Sequence, residues 1–384
     1  MISRTDRSLV ANWWWTVDRW FLAAFLLLMG IGVVLSFAAS PAVAERIGLE
    51  SFHFVTRQIV FMVGAGVVMI GVSFLEPRHV RRLALLILAG SLVLMVVTLF
   101  VGMEVKGSRR WIHLFGLSIQ PSEYLKPAFV VICAWLFAEH ARQPEIPGNL
   151  FAMLLLGLVV ALLVAQPDLG QTILVLGTWG AMFFIAGMPW LWIIVLGAVG
   201  AGGAVAAYAT FPHVAERIDR FITGEGDTYQ VDMSLDAITR GGWLGQGPGE
   251  GSVKRILPDS HTDFVFAVAG EEFGIIMCLI ILTLFAFVVM RGLALARKEG
   301  DDFTRYALSG LVILFGFQSI INIAVNVRMM PAKGMTLPFI SYGGSSLIAM
   351  AISMGFVLAL ARRRPEKRRP MSLSSVSGRA AAAG

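Results

Sequence analysis

Three features of this 384-residue sequence predict an all-α polytopic integral membrane fold. Hydrophobic residues make up 57% of it, and charged residues only 15%, well under the quarter usual in soluble domains. Mean hydropathy is +0.75. Apolar windows near the ~20 residues that a bilayer core requires fall at 20–40, 54–74, 82–102, 125–139, 149–165, 171–187, 189–209, 263–290, 306–328 and 342–362. That pattern predicts ten transmembrane helices. A soluble globule would need more surface charge, and a disordered chain would be polar and poor in aromatics.

The elements follow in order. Residues 1–19 form a charged, Trp-rich leader, in which Trp13, Trp14 and Trp15, with Trp20 just beyond, lie beside Arg19. Such a segment suits an amphipathic anchor at headgroup level on the cytoplasmic side. The first apolar run continues to about Ser40, too long for a signal-peptide core. The ten-helix domain is expected over 20–362, with a large extracytoplasmic segment, 210–262, between helices 7 and 8. Residues 363–384 read as a basic, disordered tail that can meet anionic lipid or cytoplasmic proteins. Cys133 and Cys278 lie in apolar runs and serve as small hydrophobes.

Lys and Arg total 31 against 25 Asp and Glu, a net charge of +6. Cytoplasmic loops are enriched in Lys and Arg, so Arg362, Arg363, Arg364, Lys367, Arg368 and Arg369 place the C-terminus inside. An even span count places the N-terminus there too, where Arg4, Arg7 and Arg19 agree. Segment 210–263 carries five basic and nine acidic residues, which suits the outer face. Lys106, Arg109 and Arg110 fall outside against the rule, which suggests another use for them.

No Walker loop or His-Glu-x-x-His pattern is present, and nothing calls for nucleic acid. The Gly-rich stretch 241–251 reads as a turn-rich surface loop, since it lacks the strand and helix of a phosphate cradle. Charge beside or inside an apolar run is costly and usually faces a cavity. Three clusters qualify. Lys106 to Trp111 is followed by Gln120-Pro121-Ser122-Glu123 and Lys126; on a helix starting near Pro121, Glu123 and Lys126 share a face, as a local ion pair or as part of a basic phosphate pocket. Asp168, in Gln166-Pro167-Asp168-Leu169-Gly170, is a helix cap or a site residue. Pro258 to Phe264 precedes the eighth span, with Glu271 and Glu272 inside it; Asp263 favours a helix dipole or acts chemically.

The run Pro331-Ala332-Lys333-Gly334-Met335-Thr336-Leu337-Pro338-Phe339-Ile340-Ser341-Tyr342-Gly343-Gly344-Ser345-Ser346 resembles the signature of the SEDS proteins (shape, elongation, division and sporulation). Gly-Ser-Arg-Arg-Trp-Ile at 107–112, Gln-Pro-Ser-Glu at 120–123, Gln-Pro-Asp-Leu-Gly at 166–170 and His-Thr-Asp-Phe at 261–264 are similar to the family's other motifs, in its order. The resemblance covers residues 15–365 and leans to the division member over the elongation member.

It implies the SEDS fold and a peptidoglycan glycosyltransferase that polymerises lipid II, an undecaprenyl-linked substrate, at the outer face of the cytoplasmic membrane, here at the division septum. It further implies a class B penicillin-binding protein of the FtsI type and other divisome proteins as partners. The family's essential Asp maps onto Asp263, a base for the acceptor hydroxyl. Negative charge growing on the departing pyrophosphate calls for fixed cations opposite it, and Arg109, Arg110 and Lys126 are the basic residues expected on that face, with Lys106 as a further substrate contact and Glu123 orienting Lys126 or holding a metal. Asp168, His261, Lys333, Ser341 and Ser345 complete the expected substrate contacts, although 331–346 also reads as a tight re-entry turn. A divalent cation, Mg²⁺ or Mn²⁺, is possible beside a pyrophosphate. Two rivals stand: a lipid II flippase, told apart by polymer formation in detergent, and a non-catalytic scaffold that activates its transpeptidase.

Overall fold

The computed structural model describes residues 8–105, 108–114, 117–210, 215, 219, 229–331 and 334–363. Helices dominate: α1 (Leu9–Thr16), α2 (Arg19–Arg46), α3 (His53–Ser73), α4 (Pro77–Val101), α5 (Pro121–Arg142), α6 (Gly148–Ala165), α7 (Leu169–Ile185), α8 (Trp190–Thr210), α9 (Tyr229–Gly241), α10 (Val265–Ala296), α11 (Asp302–Asn326) and α12 (Gly344–Leu360). The protein is all-α in class and multi-pass in character. Seven helices among the described residues, α2, α3, α4, α6, α8, α10 and α11, are long and apolar enough to cross a membrane. The other three expected windows fall on α5, which carries charge, and on α7 and α12, each 17 residues long.

The starts of the helices follow ordinary local chemistry. Asp18, Asp168 and Asp301 cap α2, α7 and α11 by accepting backbone N–H bonds. Pro121 opens α5, where its missing N–H costs nothing. The core lies between α5, α11, α12 and α2, where Phe25, Phe129, Phe315, Phe339 and Phe356 are buried.

Two connections differ from the expected loops. Between α4 and α5 lies a three-stranded antiparallel sheet, β1 (Met103–Val105), β2 (Ser108–Leu114) and β3 (Leu117–Ile119), in that order. The large connection after α8 carries α9 and a 3₁₀ turn at Val253–Arg255.

The Gly-rich stretch is a turn-rich surface loop, as expected, with Trp243 and Leu244 exposed, and its backbone is also pinned to the bundle. It docks into a break in α10 at Gly274, whose φ of 76° and ψ of −176° interrupt the helix. The break leaves carbonyls without helical partners, and the stretch supplies them: Gln246 N–H donates to Glu271 O at 2.9 Å and Gly247 N–H to Glu272 O at 3.1 Å. In return Ile275 N–H donates to Gly242 O at 2.9 Å. The backbones approach so closely that a Cβ on Gly274 would lie 2.3 Å from Trp243 O, and one on Gly245 2.1 Å from Glu272 O. Glycine here is a steric requirement.

Glu271 and Glu272 hold the same junction. The fully buried Glu271 carboxylate accepts from Val253 N–H at 2.7 Å and Lys254 N–H at 2.9 Å. Glu272 pairs with the Lys254 ammonium, which also donates to Ala38 O on α2 at 3.1 Å.

Candidate active site

Asp263 sits at the end of a tight turn in which Thr262 and Asp263 N–H both donate to Asp259 O at 3.1 Å. Its backbone carbonyl is gripped from α11 by two side-chain amides, Asn322 at 2.9 Å and Asn326 at 3.0 Å. Asn322 also donates to Met335 O at 2.6 Å, while Asn326 Oδ1 accepts from Ala267 N–H at 3.1 Å. The start of α10 and the 334–341 segment are thereby joined at one point. The Asp263 carboxylate lies over Gly334, where a Cβ would come 3.3 Å from Oδ2. Both asparagines escaped the sequence reading, although two amides one turn apart in an apolar helix were a usable signal.

A second network lies across α5, α7 and α11. Glu123 and Lys126, both buried, form an ion pair at 2.9 Å, as their spacing allows. Gln171 Nε2 donates to the other Glu123 oxygen at 2.6 Å, and Lys126 Nζ to Gln318 Oε1 at 3.1 Å. Gln318 Nε2 then donates to Thr336 O at 3.1 Å. Adjacent peptide carbonyls, Met335 and Thr336, therefore receive the Asp263 clamp and the Glu123–Lys126 chain.

Arg110 and Arg109 part company. Successive strand residues point to opposite faces. From β2, Arg110 turns inward, donating to Gln166 O at 3.1 Å and to Pro167 O, with Asp168 Oδ1 at 3.6 Å. Arg109 turns outward and pairs with Glu104 on β1 at 3.4 Å. Asp168 caps α7 through Gln171 N–H at 3.4 Å, and its second oxygen is buried without a hydrogen bond. Burial pushes the Asp168 carboxyl up, opposed by the Arg110 charge.

Ser341 and Ser345 shape the backbone. Ser341 Oγ accepts from Leu337 N–H at 2.8 Å, closing the turn, and Ser345 Oγ bridges Gln120 N–H at 3.3 Å and Ser118 O at 2.9 Å. The His261 ring lies tilted against Phe54 and Tyr342, with ring centroids 4.9 and 5.3 Å away. Its backbone carbonyl accepts from Tyr342 N–H at 2.9 Å. Burial lowers the imidazole pKa to about 4, so the ring is neutral at pH 7. Lys106 and Lys333 lie outside the described residues. Among the described residues no three His, Cys, Asp or Glu gather as a cation site. Glu123, the carboxylate first considered for a metal, has both oxygens engaged by Lys126 and Gln171, so among the described residues the side chains do not compose a metal centre.

Fold and site together define a class: a multi-pass helical membrane protein in which a buried ion-pair chain and a clamped aspartate meet through adjacent carbonyls of the 334–341 segment. A sequence profile of the cell cycle protein family FtsW/RodA/SpoVE matches residues 18–366, and the chain belongs to this family. A probable peptidoglycan glycosyltransferase FtsW of Caulobacter vibrioides is 48% identical over 365 residues, 94% of each chain. One from Methylococcus capsulatus is 35% identical, covering 93% of this chain and 94% of its own. Among solved structures, a chain of a peptidoglycan synthase complex that coordinates polymerization and crosslinking superposes with a TM-score of 0.76 at 29% identity, covering 90% of this chain and 97% of that one. The rod shape determining protein RodA of Thermus thermophilus matches at 0.65 and 28%, covering 91% and 98%.

Proposed function

We propose that the protein is a peptidoglycan glycosyltransferase that polymerises lipid II during septal wall synthesis. The observation that carries this reading is the double amide clamp on Asp263, which fixes a carboxylate at the polar end of the bundle beside the Glu123–Lys126 chain. In the reaction an acceptor sugar hydroxyl attacks the anomeric carbon of a second lipid-linked sugar. The new C–O bond forms as the bond to the lipid pyrophosphate breaks, and Asp263 takes the hydroxyl proton. A positioned base of this kind contributes on the order of 10²–10⁴ in rate. Arg110 and Lys126 supply fixed positive charge toward the leaving pyrophosphate, balanced at rest by Asp168 and Glu123.

The reading extends to ten crossings, both termini in the cytoplasm, residence in the cytoplasmic membrane at the septum, and a class B penicillin-binding protein as partner. The 48% identity to an FtsW and the likeness to a synthase complex support it. The decisive experiment offers lipid II in detergent to wild-type protein and to Asp263→Ala, with and without a cognate class B partner. Polymer from wild type alone is the expected result. Detergent has no leaflet to cross, so polymer also separates this reading from a flippase. Polymer from a folded Asp263→Ala would remove the proposed base, and a polymerisation-dead protein that fully supports division would favour the scaffold.

A further inference from the structure

A cavity of about 310 Å³ opens at the end of the bundle opposite Asp263, lined by Glu76, Pro77, Arg78, Arg81, Arg142, Asp301 and Phe303. It is framed by the first turns of α4 and α11 and the last turn of α5. From Asp302 to Asn322 along α11 is roughly 30 Å at 1.5 Å per residue, so the cavity is separate from the site above.

The charge on its walls is unequal. Three guanidiniums meet two carboxylates. Arg78 bonds Glu76 through Nε at 2.9 Å, and Arg142 bonds Asp301 through one terminal nitrogen at 2.7 Å. Arg81 reaches Glu139 only at 4.0 Å and lies over the Phe303 and Trp135 rings at 5.1 and 5.7 Å. Each guanidinium has five N–H donors; Arg78 and Arg142 each spend one nitrogen on an acid, and Arg81 spends none at hydrogen-bond distance. Asp301 is further occupied by the α11 cap, through Thr304 N–H at 3.0 Å and Thr304 Oγ1 at 2.8 Å. The wall thus holds more donors than its acids accept, the chemistry that suits a phosphate, which accepts through several oxygens and donates nothing.

The surroundings point to a lipid as its carrier. Leu85 lies one turn along α4 from Arg81, on the same face, and Leu85 and Leu86 are 49% and 70% exposed. Acyl chains lying along them would bring a headgroup to the guanidiniums, and basic pockets between membrane helices suit anionic headgroups.

We propose that this cavity holds the phosphate of an anionic phospholipid headgroup. The full-length protein, reconstituted in nanodiscs of phosphatidylglycerol and phosphatidylcholine, is released from them and weighed by native mass spectrometry. One retained phosphatidylglycerol is expected on wild type, with about tenfold weaker retention in Arg81→Gln/Arg142→Gln. Glu76→Gln, which removes an acid that contributes no side-chain cap to α4, should instead strengthen retention. Loss of a structural role would not produce that gain. Retention unchanged by both sets of substitutions would overturn the site. Displacement of the lipid by excess inorganic phosphate would make a free anion, not a lipid, its ligand.

Discussion

Asn322 donates to the backbone carbonyl of Asp263 at 2.9 Å, so the proposed base is held from α11 through its main chain, leaving its carboxylate clear of that bond. Removing the amide leaves Asp263 O with Asn326 alone and takes the side-chain donor from Met335 O, a loss of about 1–3 kcal/mol. Asn322→Ala should lower polymerisation about tenfold or more, and Asn322→Ala/Asn326→Ala further, with helix content unchanged by circular dichroism. Unaltered turnover in the double variant would show that the clamp does not position the base.

The buried Glu123–Lys126 pair sets a second expectation. Breaking a buried pair from one side strands a charge and costs about 3–5 kcal/mol. Lys126→Met should therefore lower the thermal midpoint in detergent, and Glu123→Gln/Lys126→Met should recover much of it without recovering polymerisation. A double variant that is both stable and fully active would confine the pair to a structural role.

Arg109 and Arg110 are adjacent in sequence and opposite in the sheet. Arg109 is 48% exposed and pairs with Glu104, whereas Arg110 holds the 166–168 turn. Arg110→Gln should impair polymerisation severely and Arg109→Gln by less than about threefold, since exposed ion pairs contribute ~0–1 kcal/mol. Equal losses would contradict the strand geometry as the cause.

The Gly-rich stretch predicts a folding defect. Gly274→Ala places a side chain at a φ of 76° and 2.3 Å from Trp243 O, so the docked stretch must shift. A loss of at least ~1–3 kcal/mol is expected, read as faster proteolysis within 241–262. Wild-type protection would mean that the backbone adjusts freely there.

His261 makes stability depend on pH. Its pKa falls from 6.5 unfolded to about 4 folded, so the folded state binds the proton less well than the unfolded one. The associated stability is complete above pH 6.5 and is lost as pH falls toward 4, on the order of 3 kcal/mol. His261→Phe should flatten that part of the melting profile. A profile with the same slope would assign the acid sensitivity elsewhere.

Much of the candidate site was legible before the structure. Glu123 and Lys126 three residues apart predicted their ion pair, and Asp168 before an apolar run predicted a cap, because both follow from helix geometry over a few residues. The destinations of Glu271, Glu272 and the glycines of 241–251 were not legible. Their partners lie on segments brought together by a helix break, and no local spacing records which carbonyls that break exposes. Arg109 and Arg110 looked alike until the sheet assigned them opposite faces.

Composition and window length determined by themselves that this chain is helical and lives in lipid, since transfer of apolar side chains from water is additive and needs no knowledge of neighbours. Tertiary structure decided which of its few charges meet. Glu123 reaches Gln171, Lys126 reaches Gln318, and Asp263 reaches Asn322 and Asn326, only because α5, α7, α10 and α11 pack side by side. Buried polar groups must find partners there, and those partners come from distant parts of the chain.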